Sequence, residues 1–205
     1  NTVLNNKTGD AGLQAYYSLL KNDTQGSVSQ FNHPGKTFGN FANFGYYDAL
    51  IDKRISLLEV GNGEGAVGSG GYFASYDQYT LALDRGWHVG PTNNQDNHLG
   101  KWGDANTART VLYTNNFTNA GLLEAMKEMR VYATEDKNLD IRYHVNGQPL
   151  GTIFTNSATG TTTFQIVISD PNTTDKISTV EIITNSGKVY KQYTYKDASL
   201  ASSVA

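Results

Sequence analysis

Three stretches of the chain place apolar residues at helical spacing. Residues 10–21 (DAGLQAYYSLLK) bring Leu13, Tyr16, Tyr17 and Leu20 to one face, with Asp10 positioned as a cap. Residues 75–85 put Tyr76, Tyr79 and Leu83 on one side, and residues 120–130 (AGLLEAMKEMR) carry the stripe Leu122, Leu123, Met126 and Met129. Glu124 and Lys127 in the last of these stand at i,i+3, a spacing that lets them pair. Residues 48–53 read as a helix end. Strand patterns lie between the helices. Residues 27–32 alternate and stop at Pro34-Gly35, where a loop rich in Gly, Asn and Phe begins. Residues 55–60 (ISLLEV) form a nearly continuous apolar run of the buried, parallel-strand type. The glycine-rich stretch 61–71 that follows predicts a loop, and residues 87–90 read as a strand leading into the polar loop 91–103.

The texture changes near Lys137. Residues 139–145 alternate and run into Asn146-Gly147, a hairpin pair; residues 161–169 read as a strand; residues 177–184 and 188–195 flank Asn185-Ser186-Gly187 as a second hairpin. Helical periodicity is absent from this part. The pattern predicts an α/β unit over residues 1–137, an antiparallel β-sandwich over 138–197 and a frayed polar tail over 198–205. No Pro/Gly/Ser linker separates the two units, so they are expected to dock as one rigid body.

Composition narrows the function classes. The 205 residues are 38% hydrophobic and 17% charged, apolar enough for a core. A net charge of −3 with no block of like charges gives no footprint for nucleic acid or an anionic membrane. The absence of cysteine excludes disulfides, thiolate metal sites and a cysteine nucleophile. No apolar run reaches the ~18 residues of a membrane span. The wealth of Asn, Thr, Gly and Tyr points to a secreted or cell-surface bacterial protein. The opening at Asn1 reads as the interior of something longer.

Candidate chemistry centres on a few positions. Asp96 and His98 stand two apart in GPTNNQDNHLGKWG, close enough to share a Zn, Mn or Fe ion; the alternative is a polar loop in which Asp96 caps a turn. His33, at a strand end before Pro34-Gly35, is presented rather than packed. Glu59 interrupts an apolar strand, so it either needs a partner or a metal, or faces outward at the strand end. His88 is a packed residue or a substrate-facing one. His144 reads as a surface residue. Arg85 and Lys101 are either solvated cations or stabilisers of developing charge.

In order and spacing, NHPG, LEVGNG, GWHVGPTNNQDNHLGKWG and MRVYATEDKNLDIRYHVNGQPLG resemble the back half of the PHP (polymerase and histidinol phosphatase) superfamily, in its CehA/McbA-like metallohydrolase branch. The resemblance implies a partial, distorted α/β barrel with divalent metals (Zn, Mn or Fe) at the C-terminal ends of its strands, followed by an appended β-domain. It implies metal ligation by His33, Asp96 and His98, with Glu59 as a less certain ligand and Asn62 as its loop neighbour; His88, Lys101 and Arg85, near these motifs in sequence, are expected with Asn62 to face the substrate. The implied reaction is hydrolysis of a small-molecule phosphoester or other ester. The family's His-x-His motif occurs nowhere in this sequence, so the remaining ligands are expected from an N-terminal half outside it. The alternative reading is a non-catalytic binding or structural module with an incomplete metal site.

Overall fold

The computed structural model describes residues 9–155, 160–196 and 200–205. In chain order the first part contains α1 (Gly9–Lys21), β1 (Ser29–Phe31), α2 (Phe41–Phe44), α3 (Ala49–Asp52), β2 (Ile55–Asn62), β3 (Phe73–Ala74), α4 (Tyr76–Asp84), β4 (Gly90–Asn93), β5 (Arg109–Leu112), α5 (Asn119–Lys127) and β6 (Val131–Thr134). The second part contains β7 (Asp140–Val145), β8 (Gln148–Pro149), β9 (Phe164–Ser169), β10 (Thr179–Thr184), β11 (Lys188–Thr194) and β12 (Ser203–Val204).

β2 is the axis of the first part. It pairs in parallel with β1 on one side and β4 on the other, and its last residues turn back against β3. All eight of its residues are buried, which is why its apolar run barely alternates. The core beside it is aromatic. Trp87 meets Phe31 edge-on at 5.1 Å and Tyr47 at 5.3 Å, and Phe44 meets Phe31 edge-on at 5.2 Å. The Trp87 indole N–H donates to the carbonyl of Phe44 (2.9 Å), so the one polar atom of this buried ring is satisfied.

The expected partial α/β barrel followed by a β-sandwich is not what forms. Among the described residues strand positions outnumber helical ones, the strands lie in small separate sheets, and no barrel closes. The parallel run ends at β4, because the following strands, β5 and β6, pair antiparallel with each other in a sheet of their own. The glycine-rich stretch after β2 folds back as β3 instead of crossing over. α2 and α3 are single turns, too short to cover a barrel wall. The predicted strand at residues 87–90 falls later, at Gly90–Asn93, and β5 and β6 were not among the predicted strands.

Beyond Lys137 the strands pair among themselves: a four-stranded sheet in the order β12-β9-β7-β8, and the separate β10-β11 hairpin. A cavity of about 260 Å³ lies between them, lined by Phe164, Ile166, Val180 and Ile182. Of the predicted frayed tail, residues 198 and 199 lie outside the described residues, whereas Ser203 and Val204 pair with β9. Contacts tie the two parts together. The Tyr132 hydroxyl donates to the Leu139 carbonyl (2.6 Å) and accepts from the Ile141 N–H. Gly151 (φ +84°) sits so close to the end of α5 that a Cβ would come within 2.3 Å of the Glu128 carbonyl, which only glycine avoids.

α2 is unusual. Phe41, Ala42, Asn43 and Phe44 all have φ near +54°, a left-handed turn made of non-glycine residues. Asn40 holds it from both sides, accepting from the Asn43 N–H and donating to the Asn43 side chain. Phe44, 1% exposed, anchors the turn in the aromatic core.

Candidate functional site

The C-terminal ends of the parallel strands gather a polar network inside an apolar surround. Glu59 is 3% exposed. Its carboxylate accepts from the backbone N–H of His33 (2.6 Å), just past β1, and from the Asn94 side chain (2.8 Å), just past β4. Asn94 also donates to Thr92 and accepts from Thr110, and Thr92 donates to Gln30 (2.8 Å). A backbone N–H just past β1 and side chains from β1, β4 and β5 therefore form the network around this buried carboxylate. Among the described residues no cationic side chain forms an ion pair with Glu59. A buried carboxylate held only by neutral donors is costly, and a positive charge beside it would relieve that cost.

His33 stands against this network in a left-handed backbone conformation (φ +33°). Its ring lies 4.4 Å from that of Phe38, and its Nδ1 is buried without a hydrogen-bond partner. An imidazole nitrogen carrying its lone pair suits a first-row divalent metal. Glu59 and His33 are of the residue types that ligate such a metal, and the Glu59 carboxylate is bonded to the His33 backbone N–H.

Asp96 and His98 are placed differently. Both lie on the exposed loop beyond β4, with the Asp96 carboxylate 3.2 Å from His98 Nε2, and Asp96 has a left-handed backbone (φ +45°). The loop is pinned by Glu64, whose carboxylate accepts from the His98 N–H (2.6 Å) and, at 3.4 Å, from the Asn97 side chain. Among the described residues these two do not join His33 or Glu59 in a group of three ligand atoms within 4.8 Å of one another. The one such group is Asp136, Asp170 and Asp175, where turn N–H groups and Asn172 already occupy the carboxylates. That cluster closes turns.

The predicted substrate-facing residues divide. Asn62 is buried at the end of β2, near the network, and Lys101 lies on the Asp96 loop, where its N–H donates to Asn97. Arg85 and His88 lie at the other end of the sheet. Arg85 closes α4, whose start is tied to the His33 loop by the Ser75 hydroxyl donating to the Pro34 carbonyl. α4 carries Arg85 about 13 Å away from there. His88 precedes β4 and pairs with Asp52, at 2.7 Å through Nδ1 and 2.8 Å through its N–H.

The structure adds residues that the sequence did not flag. Asn94 and Glu64 position the predicted ligands, and their only sequence signal is being polar just past a buried strand. Asn93 donates to Tyr72, and Tyr72 and Tyr76 both donate to the Glu135 carboxylate (3.1 and 2.6 Å). Burial first, then Glu135, holds both phenols above their ordinary pKa, so they remain donors at neutral pH. Among the described residues no helix is long and apolar enough to cross a membrane. Comparison with protein-family models, with curated proteins and with solved structures finds no match for this chain.

Proposed function

We propose that this chain contributes to the active site of a metal-dependent hydrolase acting on a small-molecule phosphoester or other ester, the activity that its likeness to PHP-superfamily motifs implies. One observation carries the reading: a buried carboxylate with no cationic partner, Glu59, hydrogen-bonded to the residue whose imidazole nitrogen is buried and unpartnered, His33. When bound, a Zn, Mn or Fe ion supplies Lewis acidity at this place. Glu59 and His33 would hold it, and Asn94 and the His33 N–H fix the carboxylate's orientation. Asp96 and His98, already side by side, are the further ligands that the motif likeness implies. Further ligands come from outside these residues. The cysteine-free, Asn- and Thr-rich composition supports a secreted or cell-surface setting.

The test uses the protein in its full natural length, with metal content measured by elemental analysis and turnover measured on an aryl phosphate and a carboxyl ester with Mn or Zn. His33→Ala and Glu59→Gln are expected to lower metal affinity by about tenfold to a hundredfold and turnover with it. Metal demonstrably bound with no turnover on either substrate sinks the hydrolase. It favours the second reading, a non-catalytic binding or structural module, which the separation of Asp96 and His98 from Glu59 supports.

A further inference from the structure

At the opposite end of the same parallel strands, the turns leading into β1, β2 and β6 and the loop after β8 enclose a cleft of about 580 Å³. Four cations line it: Lys53, Arg54, Lys127 and Arg130. Two of them converge over Gly26, where a Cβ would sit 3.3 Å from Lys127 Nζ and 3.7 Å from Arg54 Nη1. Arg54 is held in place by donating through Nη2 to the Asp23 carbonyl (2.8 Å), with Nε 3.7 Å from the Asp23 carboxylate. Its Nη1 lies, like Lys127 Nζ, beside Gly26. Arg130 has only a long contact, 3.9 Å, to Glu124. Among the described residues neither Lys53 nor Lys127 makes an ion pair.

The acids facing this cleft do not cancel the charge. They are Asp52 and Glu128, and the Asp52 carboxylate is already bonded to His88. A second, independent feature points the same way. Ser56 lies near the start of β2 and is 5% exposed, yet its hydroxyl has no hydrogen-bond partner. An unmet buried hydroxyl costs stability unless something bound there accepts from it.

We propose that this cleft binds a small ligand through a phosphate group. The donors are a guanidinium, ammonium groups and a hydroxyl, which is the set that meets a tetrahedral dianion. The cleft exceeds the volume of a bare phosphate and leaves room for an organic portion. It is separate from the Glu59 site, since Ser56 and Glu59 are about 10 Å apart along β2 and point to opposite faces of the strand. The proposal therefore stands or falls independently of the hydrolase.

The experiment is calorimetric titration of the protein at low ionic strength with inorganic phosphate, a hexose phosphate and malonate. Saturable binding of the phosphates is expected, weakened by added salt and lowered about tenfold by Lys127→Met. Lys127 is exposed, so this variant should fold normally, with circular dichroism as the check. Ser56→Ala should weaken binding too, and Lys188→Met, on the hairpin outside the cleft lining, should leave it unchanged. Tighter binding of the hexose phosphate than of phosphate identifies a phosphomonoester as the source, and equal binding identifies the free ion. No saturable binding, equal binding in Lys127→Met, or malonate binding as well as phosphate overturns the proposal.

Discussion

The β10-β11 hairpin is richer in β-branched and aromatic residues than the parallel strands β1, β2 and β4, yet it buries fewer of them. Around β2, aromatic rings from four segments interlock: Tyr17, Phe31, Phe44 and Trp87 are all 6% exposed or less. In the hairpin, Tyr190 is 70% exposed, Tyr193 is 48% exposed, and every residue of β11 is exposed. The difference lies in what covers each face. β2 has neighbours on both edges and helices against it, whereas the hairpin strands face one sheet across a cavity and only their turn meets α4. Stability is therefore concentrated around β2, and that rigid block holds both the Glu59 network and the cationic cleft.

The sharpest way to break this comparison is Trp87→Ala. It removes the ring that Tyr17, Phe31 and Tyr47 pack on and orphans the Phe44 carbonyl. The expected loss is about 4 kcal/mol in urea denaturation. A loss below ~1 kcal/mol would mean the core is not where we place it. Ile182→Ala, at the best-buried hydrophobic position of the hairpin, should cost only about 2 kcal/mol, because its site already borders a cavity. If the two substitutions cost the same, the contrast between the regions fails.

Ala42→Gly acts in the opposite direction. Ala42 holds φ +54° in the left-handed turn, a conformation that costs an L-residue about 1–2 kcal/mol and glycine far less. After the extra entropy that glycine loses on folding, a gain of about 0.5–1 kcal/mol is expected. Destabilisation instead would show that the Ala42 methyl packs usefully. Tyr190→Thr, on the open face of the hairpin, should change stability by less than ~0.5 kcal/mol.

A pH effect separates the α1–β1 turn from both regions. The backbone N–H groups of Ser27 and Gln25, then the Ser27 hydroxyl, lower the Asp23 pKa to about 2 in the folded chain. The folded value lies below the unfolded value of about 3.9, so the stabilisation is fully present above that pH. It is lost as pH falls through about 2. The stability difference between the native protein and Asp23→Asn should shrink across that window. A difference that stays constant from neutral pH down to the acid limit would remove Asp23 from the account.

Local pattern located many of the elements. α1, α4 and α5 fall within a few residues of their periodic stripes, and the hairpin turn at 185–187 falls on Asn-Ser-Gly, because helical period and turn chemistry are set by neighbours in sequence. Glu59 and His33 stood out for the same kind of reason: a charge in an apolar run, and an imidazole before Pro-Gly. Their adjacency, the role of Asn94 and the separation of Asp96 and His98 from them depend on contacts between residues 26 to 35 positions apart, which no local pattern encodes.

The sequence by itself determined where apolar faces form, where the chain must turn, and that thiol chemistry is absent. The tertiary structure alone decided that the parallel run stops after three strands and that no barrel closes. It also decided that Lys127, from α5, meets Arg54, from the turn before β2, over Gly26. Strand order and charge convergence are set by which surfaces find one another once the chain collapses. Hydrophobic periodicity specifies that a face is buried, not what it is buried against.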